Sequence, residues 1–70
     1  MPKLPSQTPK QIIALLKQKG FVLDHTTGSH YIFYYQDAKR RVTVPFHRKD
    51  LPIGTLRSIL KQAGVSPNEL

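Results

Sequence analysis

The chain carries three histidines, at positions 25, 30 and 47, each where a strand-like run meets a turn or a break. Imidazole titrates near neutrality and can take or give a proton there. Cleaving RNA without a metal asks little more than that. The 2′-hydroxyl must lose a proton, the phosphate charge must be stabilised, and the leaving 5′-oxygen must gain a proton. One histidine can perform one of these transfers while nearby cations hold the phosphate. In "GSHYIFYY" the triplet Gly28-Ser29-His30 suits that use. Gly28 lets a backbone approach a phosphate, Ser29 offers a hydroxyl and an amide, and His30 reaches the same space. DNA lacks the 2′-hydroxyl, so this chemistry would be specific for RNA.

Each of these residues also has a plainer reading. A histidine that begins a strand is ordinarily a surface residue. His47, between Phe46 and the pair Arg48-Lys49, reads by itself as a solvated loop residue. His25, after Asp24 at the end of a strand, invites the plain reading more strongly still. The run Lys39-Arg40-Arg41 is by default a solvated hairpin tip. Together with Arg48 and Lys49 it could instead form an RNA track. Tyr31, Phe33 and Tyr35 suit a core better than a base-stacking platform, and Tyr34 is the aromatic best placed to be exposed.

Metal chemistry is disfavoured. The histidine spacing matches no helical or knuckle motif. Four carboxylates, Asp24, Asp37, Asp50 and Glu69, are too few and too dispersed for a two-metal centre. No cofactor is expected.

The elements that must position these residues can be read from the pattern. Thr8, Pro9 and Gln11 form a capping box that opens a helix, with Ile12, Ile13, Leu15 and Leu16 as its apolar stripe and Gly20 as its stop. Phe21 to His25 reads as a short strand and "TTGS" as a turn. His30 to Tyr35 is a second strand, Gln36 to Arg40 a hairpin loop, and Arg41 to Pro45 a third strand. Period-2 alternation groups Tyr31, Phe33 and Tyr35 on one face and His30, Ile32 and Tyr34 on the other. Placing Phe33 inward leaves His30 outward. A second helix follows Pro52, with Ile53, Leu56, Ile59, Leu60 and Ala63 expected as its buried stripe and Gly64 as its stop. Gly54, inside the first turn, would let another backbone or a phosphate come close. Ser66 and Glu69 form a capping box with about one turn left to cap. The expected fold is α+β: a two-layer α-β-β-β-α domain with a three-stranded antiparallel sheet and both helices on one face.

Bulk composition sets the scale. Seventy residues make one domain, 1–70, with 1–7 as a loose N-terminal arm. Such a chain has no room for a deep cavity, so a site should be shallow. Eleven Lys/Arg against four Asp/Glu give a net charge of +7. That field favours a polyanionic partner, with nucleic acid foremost and an acidic protein second. There is no cysteine, which fits a reducing cytosol. The opening "MPKLPSQTP" has no apolar core of a signal peptide, and no run approaches membrane-spanning length. The expectation is a soluble cytoplasmic protein with no membrane contact.

The motifs in order, the Gly-Phe after the first helix, "GSHYIFYY", and "VTVPFHRKDLPIGTLRSILKQAG", resemble the HicA-type (YcfA-like) toxins of bacterial toxin–antitoxin systems. The resemblance runs from about Gln11 to Pro67. It implies a fold like that of double-stranded-RNA-binding domains. It implies a metal-independent endoribonuclease that cleaves mRNA and arrests translation, with the catalytic histidine at His30. It places the family's second histidine at His47, as a second acid/base or a phosphate contact. It also implies a HicB-type antitoxin, expected to be acidic and to mask His30. The tail after Gly64 is shorter than in relatives with a longer last helix. Two other readings compete: a non-catalytic RNA-binding module of the same fold, and a basic adaptor for an acidic protein.

Overall fold

In a computed structural model, which describes residues 5–47 and 49–70, the chain forms α1 (Pro9–Gln18), β1 (Val22–Thr27), β2 (His30–Tyr35), β3 (Arg40–Pro45) and α2 (Ile53–Ala63). A single 3-10 turn, Pro67–Glu69, follows. The fold is α+β, and its sheet is an antiparallel meander in the order β1-β2-β3. Of the expected arm 1–7, the first four residues lie outside the described part.

α1 begins as its sequence dictates. The Gln11 amide donates to Thr8 Oγ1 at 3.2 Å, and the Thr8 amide donates to Gln11 Oε1 at 2.9 Å. Pro9 occupies the first turn, where a missing N–H costs nothing. The helix ends on paired bonds that wrap its last carbonyls: Phe21 N–H to Leu16 O at 2.9 Å and Gly20 N–H to Lys17 O at 3.1 Å. Gly20 sits between them at φ +101°. Gly64, at φ +70°, ends α2 in the same manner.

Both helices lie on one face of the sheet. Ile12 and Leu16 of α1, and Leu56, Ile59, Leu60 and Ala63 of α2, share one core with Phe33, Val42 and Val44. Phe33 is 1% exposed, so the inward choice for its face holds. Tyr31 and Tyr35 pack on the rim of the same core. Ile53 does not join the expected stripe and stays exposed. Leu51, just before α2, enters the core instead. Pro52 stands at the N-cap with no side-chain hydrogen bond.

Two features of the sheet depart from the pattern in the sequence. First, β1 runs on to Thr27, so the turn is only Gly28-Ser29. Two β-branched threonines extend the strand, and the two-residue connection takes its positive φ (+57°) at Gly28. Second, every residue of β1 is exposed. The helices cover β2 and β3, and β1 is held by its ladder to β2.

The C-terminal turn is tied back to α1. Lys19 Nζ pairs with the Glu69 carboxylate. That pairing, helped by the Ser66 amide, holds the Glu69 carboxyl below its ordinary value.

Gly20 carries a specific cost of substitution. A Cβ there would meet Tyr35 Cε1 at 2.9 Å, in a backbone conformation that L-residues avoid. Gly20→Ala should lower stability by about 1–2 kcal/mol, read as a lower urea midpoint with an unchanged slope. An unchanged midpoint would mean that neither the positive φ nor the Tyr35 contact makes a side chain costly at position 20.

Candidate functional site

The open face of the sheet is built in rows. Cross-strand partners in an antiparallel ladder share a face, so the register identifies its occupants. Thr27, His30 and Pro45 form one row; His25, Ile32 and Thr43 the next; Val22, Tyr34 and Arg41 a third. His30 is exposed and begins the central strand. Ile32 is only 8% exposed, yet it lies outside the helix-covered core.

The Gly28-Ser29 turn and the end of β3 meet. The Phe46 amide donates to the Ser29 carbonyl at 2.7 Å, one residue beyond the His30–Pro45 pair. Gly28, Ser29, His30 and His47 are thereby gathered at one end of the sheet. A Cβ on Gly28 would meet no atom within 4 Å, so space is not what requires glycine there. The positive φ of the turn is. A Cβ on Gly54 would likewise meet open space, and its φ is not positive, so neither conformation nor crowding within the chain demands glycine at that position.

His47 is exposed and lines a pocket of about 280 Å3 with Thr8, Lys10 and Phe46. Phe46 stacks on Tyr31 with ring centroids 4.7 Å apart. Tyr31 packs on the helix-covered core, so this pocket opens on the rim between sheet and α1. The open face beside His30 is a separate surface.

Lys39, Arg40 and Arg41 sit at the opposite end of the sheet from His30. At about 3.3 Å per residue, Tyr34 and its partner Arg41 lie about 13 Å along the strand from His30. Alternation splits the basic run. The Arg41 guanidinium lies over the Tyr34 ring, 5.4 Å from its centroid, on the open face. Arg40 turns to the helix side, where its Nη1 donates to the Gln62 carbonyl at 3.2 Å and its guanidinium packs over Gly64. A cation on the last carbonyls of α2 also opposes the helix dipole. Lys49 is exposed. Arg48 lies outside the described residues.

The plain surface reading that the sequence favours for His25 does not foretell which face of the sheet it takes. Neighbours in a strand normally point to opposite faces. Here the register shifts between Leu23 and His25, a bulge with Asp24 as the extra residue. His25 is thereby delivered to the open face, diagonally across from His30, and its Nδ1–H donates to Asp24 Oδ2 at 2.6 Å. Among the described residues, no three His, Asp or Glu side chains come together to hold a metal ion. Among the same residues, no helix is long and apolar enough to cross a membrane.

The uncovered sheet face of this small basic α+β domain bears two exposed histidines, His25 and His30. Residues 9–65 match the family described as the HicA toxin of bacterial toxin–antitoxin systems. The match spans most of the chain, and the protein belongs to that family. It is the toxin of a toxin–antitoxin pair and has an antitoxin as its partner. No curated protein matches the chain.

The split of the basic run makes a prediction. Arg40→Ala should cost about 0.5–1.5 kcal/mol because the bond to the α2 terminus is removed, and Arg41→Ala should stay within about 0.5 kcal/mol of wild type. Thermal denaturation of the two variants in one buffer tests this. Equal melting temperatures would deny Arg40 its structural role.

Proposed function

We propose that this toxin is a metal-independent endoribonuclease acting on mRNA, with His30 exchanging a proton with the substrate. The observation that carries the reading is an exposed imidazole beginning the central strand, beside the Gly28-Ser29 turn, in a chain of the HicA family. A strand end held by ladder bonds on both sides fixes the imidazole while leaving it open to a polymer. Ser29 supplies a hydroxyl and an amide for the phosphate beside it. Arg41 and Lys49, with Lys39 and Arg48, serve as phosphate contacts. The fold is of the double-stranded-RNA-binding type, and the protein acts in the cytoplasm. The partner is a HicB-type antitoxin that lays an acidic surface over the open face, where a net charge of +7 favours it.

His30→Ala should slow RNA cleavage at least about a hundredfold, the lower range for losing a general acid or base. The fold should persist, because an exposed imidazole contributes little burial. The assay is one RNA, in EDTA, with products ending in 2′,3′-cyclic phosphate and circular dichroism to check folding. A folded variant at wild-type rate would sink the role of His30. Intact RNA that is merely retarded by the wild-type protein would favour the non-catalytic binding module. His47→Ala should do less than His30→Ala.

Affinity for RNA should also fall steeply as salt rises, because neutralised phosphates release counterions. Replacing Arg41 and Lys49 with alanine should flatten the slope of log affinity against log salt by about one for each phosphate no longer neutralised. An unaltered slope would shift the RNA track to the exposed lysines of α1.

A further inference from the structure

Cleavage by transphosphorylation needs two proton transfers, and His30 can perform one of them at a time. We propose that His25, held by Asp24, is the base that performs the other. The inference rests on the ribonuclease reading above.

Three observations carry it. The bulge at Asp24 brings His25 to the open face, whereas strict alternation from Leu23 would put it on the other side. Bulges are over-represented beside active sites, where they re-aim a side chain. His25 and His30 lie diagonally across the β1–β2 ladder, about 7–8 Å apart at the backbone, a separation two imidazoles can span around one phosphate. Finally, His25 Nδ1–H donates to Asp24 Oδ2 at 2.6 Å. That bond places a hydrogen on Nδ1, so that in the neutral ring the lone pair lies on Nε2. A carboxylate in this position also stabilises the imidazolium once it forms. The side chain of His25 is half-exposed on that face. His47, the other candidate, lines the rim pocket with Thr8, Lys10 and Phe46.

The step balances. His25 Nε2 takes the proton of the 2′-hydroxyl, and the 2′-oxygen forms a bond to phosphorus. The bond from phosphorus to the 5′-oxygen breaks, and that oxygen takes a proton from His30. The products are a 2′,3′-cyclic phosphate and a 5′-hydroxyl. Exchange with water restores both rings.

The test uses the full chain and one RNA in EDTA, with folding checked by circular dichroism. His25→Ala should lower kcat about a hundredfold with KM little changed, and added imidazole should restore part of the rate. Asp24→Asn should lower kcat at least about tenfold, yet add nothing in the His25→Ala background, because Asp24 acts through His25. His25→Gln serves if the alanine variant fails to fold. On RNA with a bridging 5′-sulfur, whose thiolate leaves without a proton, the His30→Ala defect should largely vanish and the His25→Ala defect should remain. A folded His25 variant with wild-type kcat, a loss that imidazole does not restore, or the reverse pattern on the sulfur substrate would each overturn the assignment. A wild-type protein that cleaves no RNA would instead remove the ribonuclease reading, and this inference with it.

Discussion

The structure depends on a core built on one side of a three-stranded sheet. Val42 and Val44 of β3 are completely buried, and Phe33 of β2 nearly so, against side chains from both helices. Fully burying each such side chain stabilises by about 1.5–3 kcal/mol. A chain of 70 residues has few more large apolar groups to commit. The second face of the sheet therefore goes without a helical layer. That economy leaves the open face on which the proposed site lies. The residues alternating with Tyr31, Phe33 and Tyr35 must look outward, and His30 is among them.

One-sided packing also separates stability from chemistry. Apart from Ile32, the open-face groups His25, Thr27, His30, Thr43 and Arg41 are exposed and contribute little to the core. Backbone pairing places them on that face. The Ser29 carbonyl accepting from Phe46 N–H continues the β2–β3 pairing past the end of the strands. The turn that presents His30 and the segment that leads to His47 are thus joined by a backbone hydrogen bond. The Leu51 amide, which donates to the Gln7 carbonyl at 2.8 Å, ties the following segment to the start of α1.

The helices, the three strands, the inward face of β2 and both glycine stops were legible because each follows from a local rule: a capping box, a period of two, a left-handed terminus. Gly28 was legible as a special residue, and the turn adds a conformational reason, its φ of +57°, that the sequence alone did not single out. Arg40 and Arg41 looked like one basic patch. Alternation parts them, and only the location of the α2 terminus shows where Arg40 goes. The Asp24 bulge left no readable trace. It is a property of two strands in register, and in β1 alone the odd positions Leu23 and His25 fall on one face. The short reading of β1 had a similar origin. A threonine pair before Gly-Ser suits a turn by composition and a strand by β-branching, and pairing with His30 and Tyr31 decides between them.

Ile32 shows how the open face keeps its geometry without a covering layer. It is buried though no helix reaches it, so its neighbours within the sheet must shield it. Those neighbours are His25 and Thr43 across the ladders and, along its own strand, His30 and Tyr34 on the same face. Shielding is mutual, because the branched side chain that these groups cover also limits the rotamers open to them. The open face thus keeps one buried apolar residue among largely exposed groups, and stability of the fold rests on the opposite face.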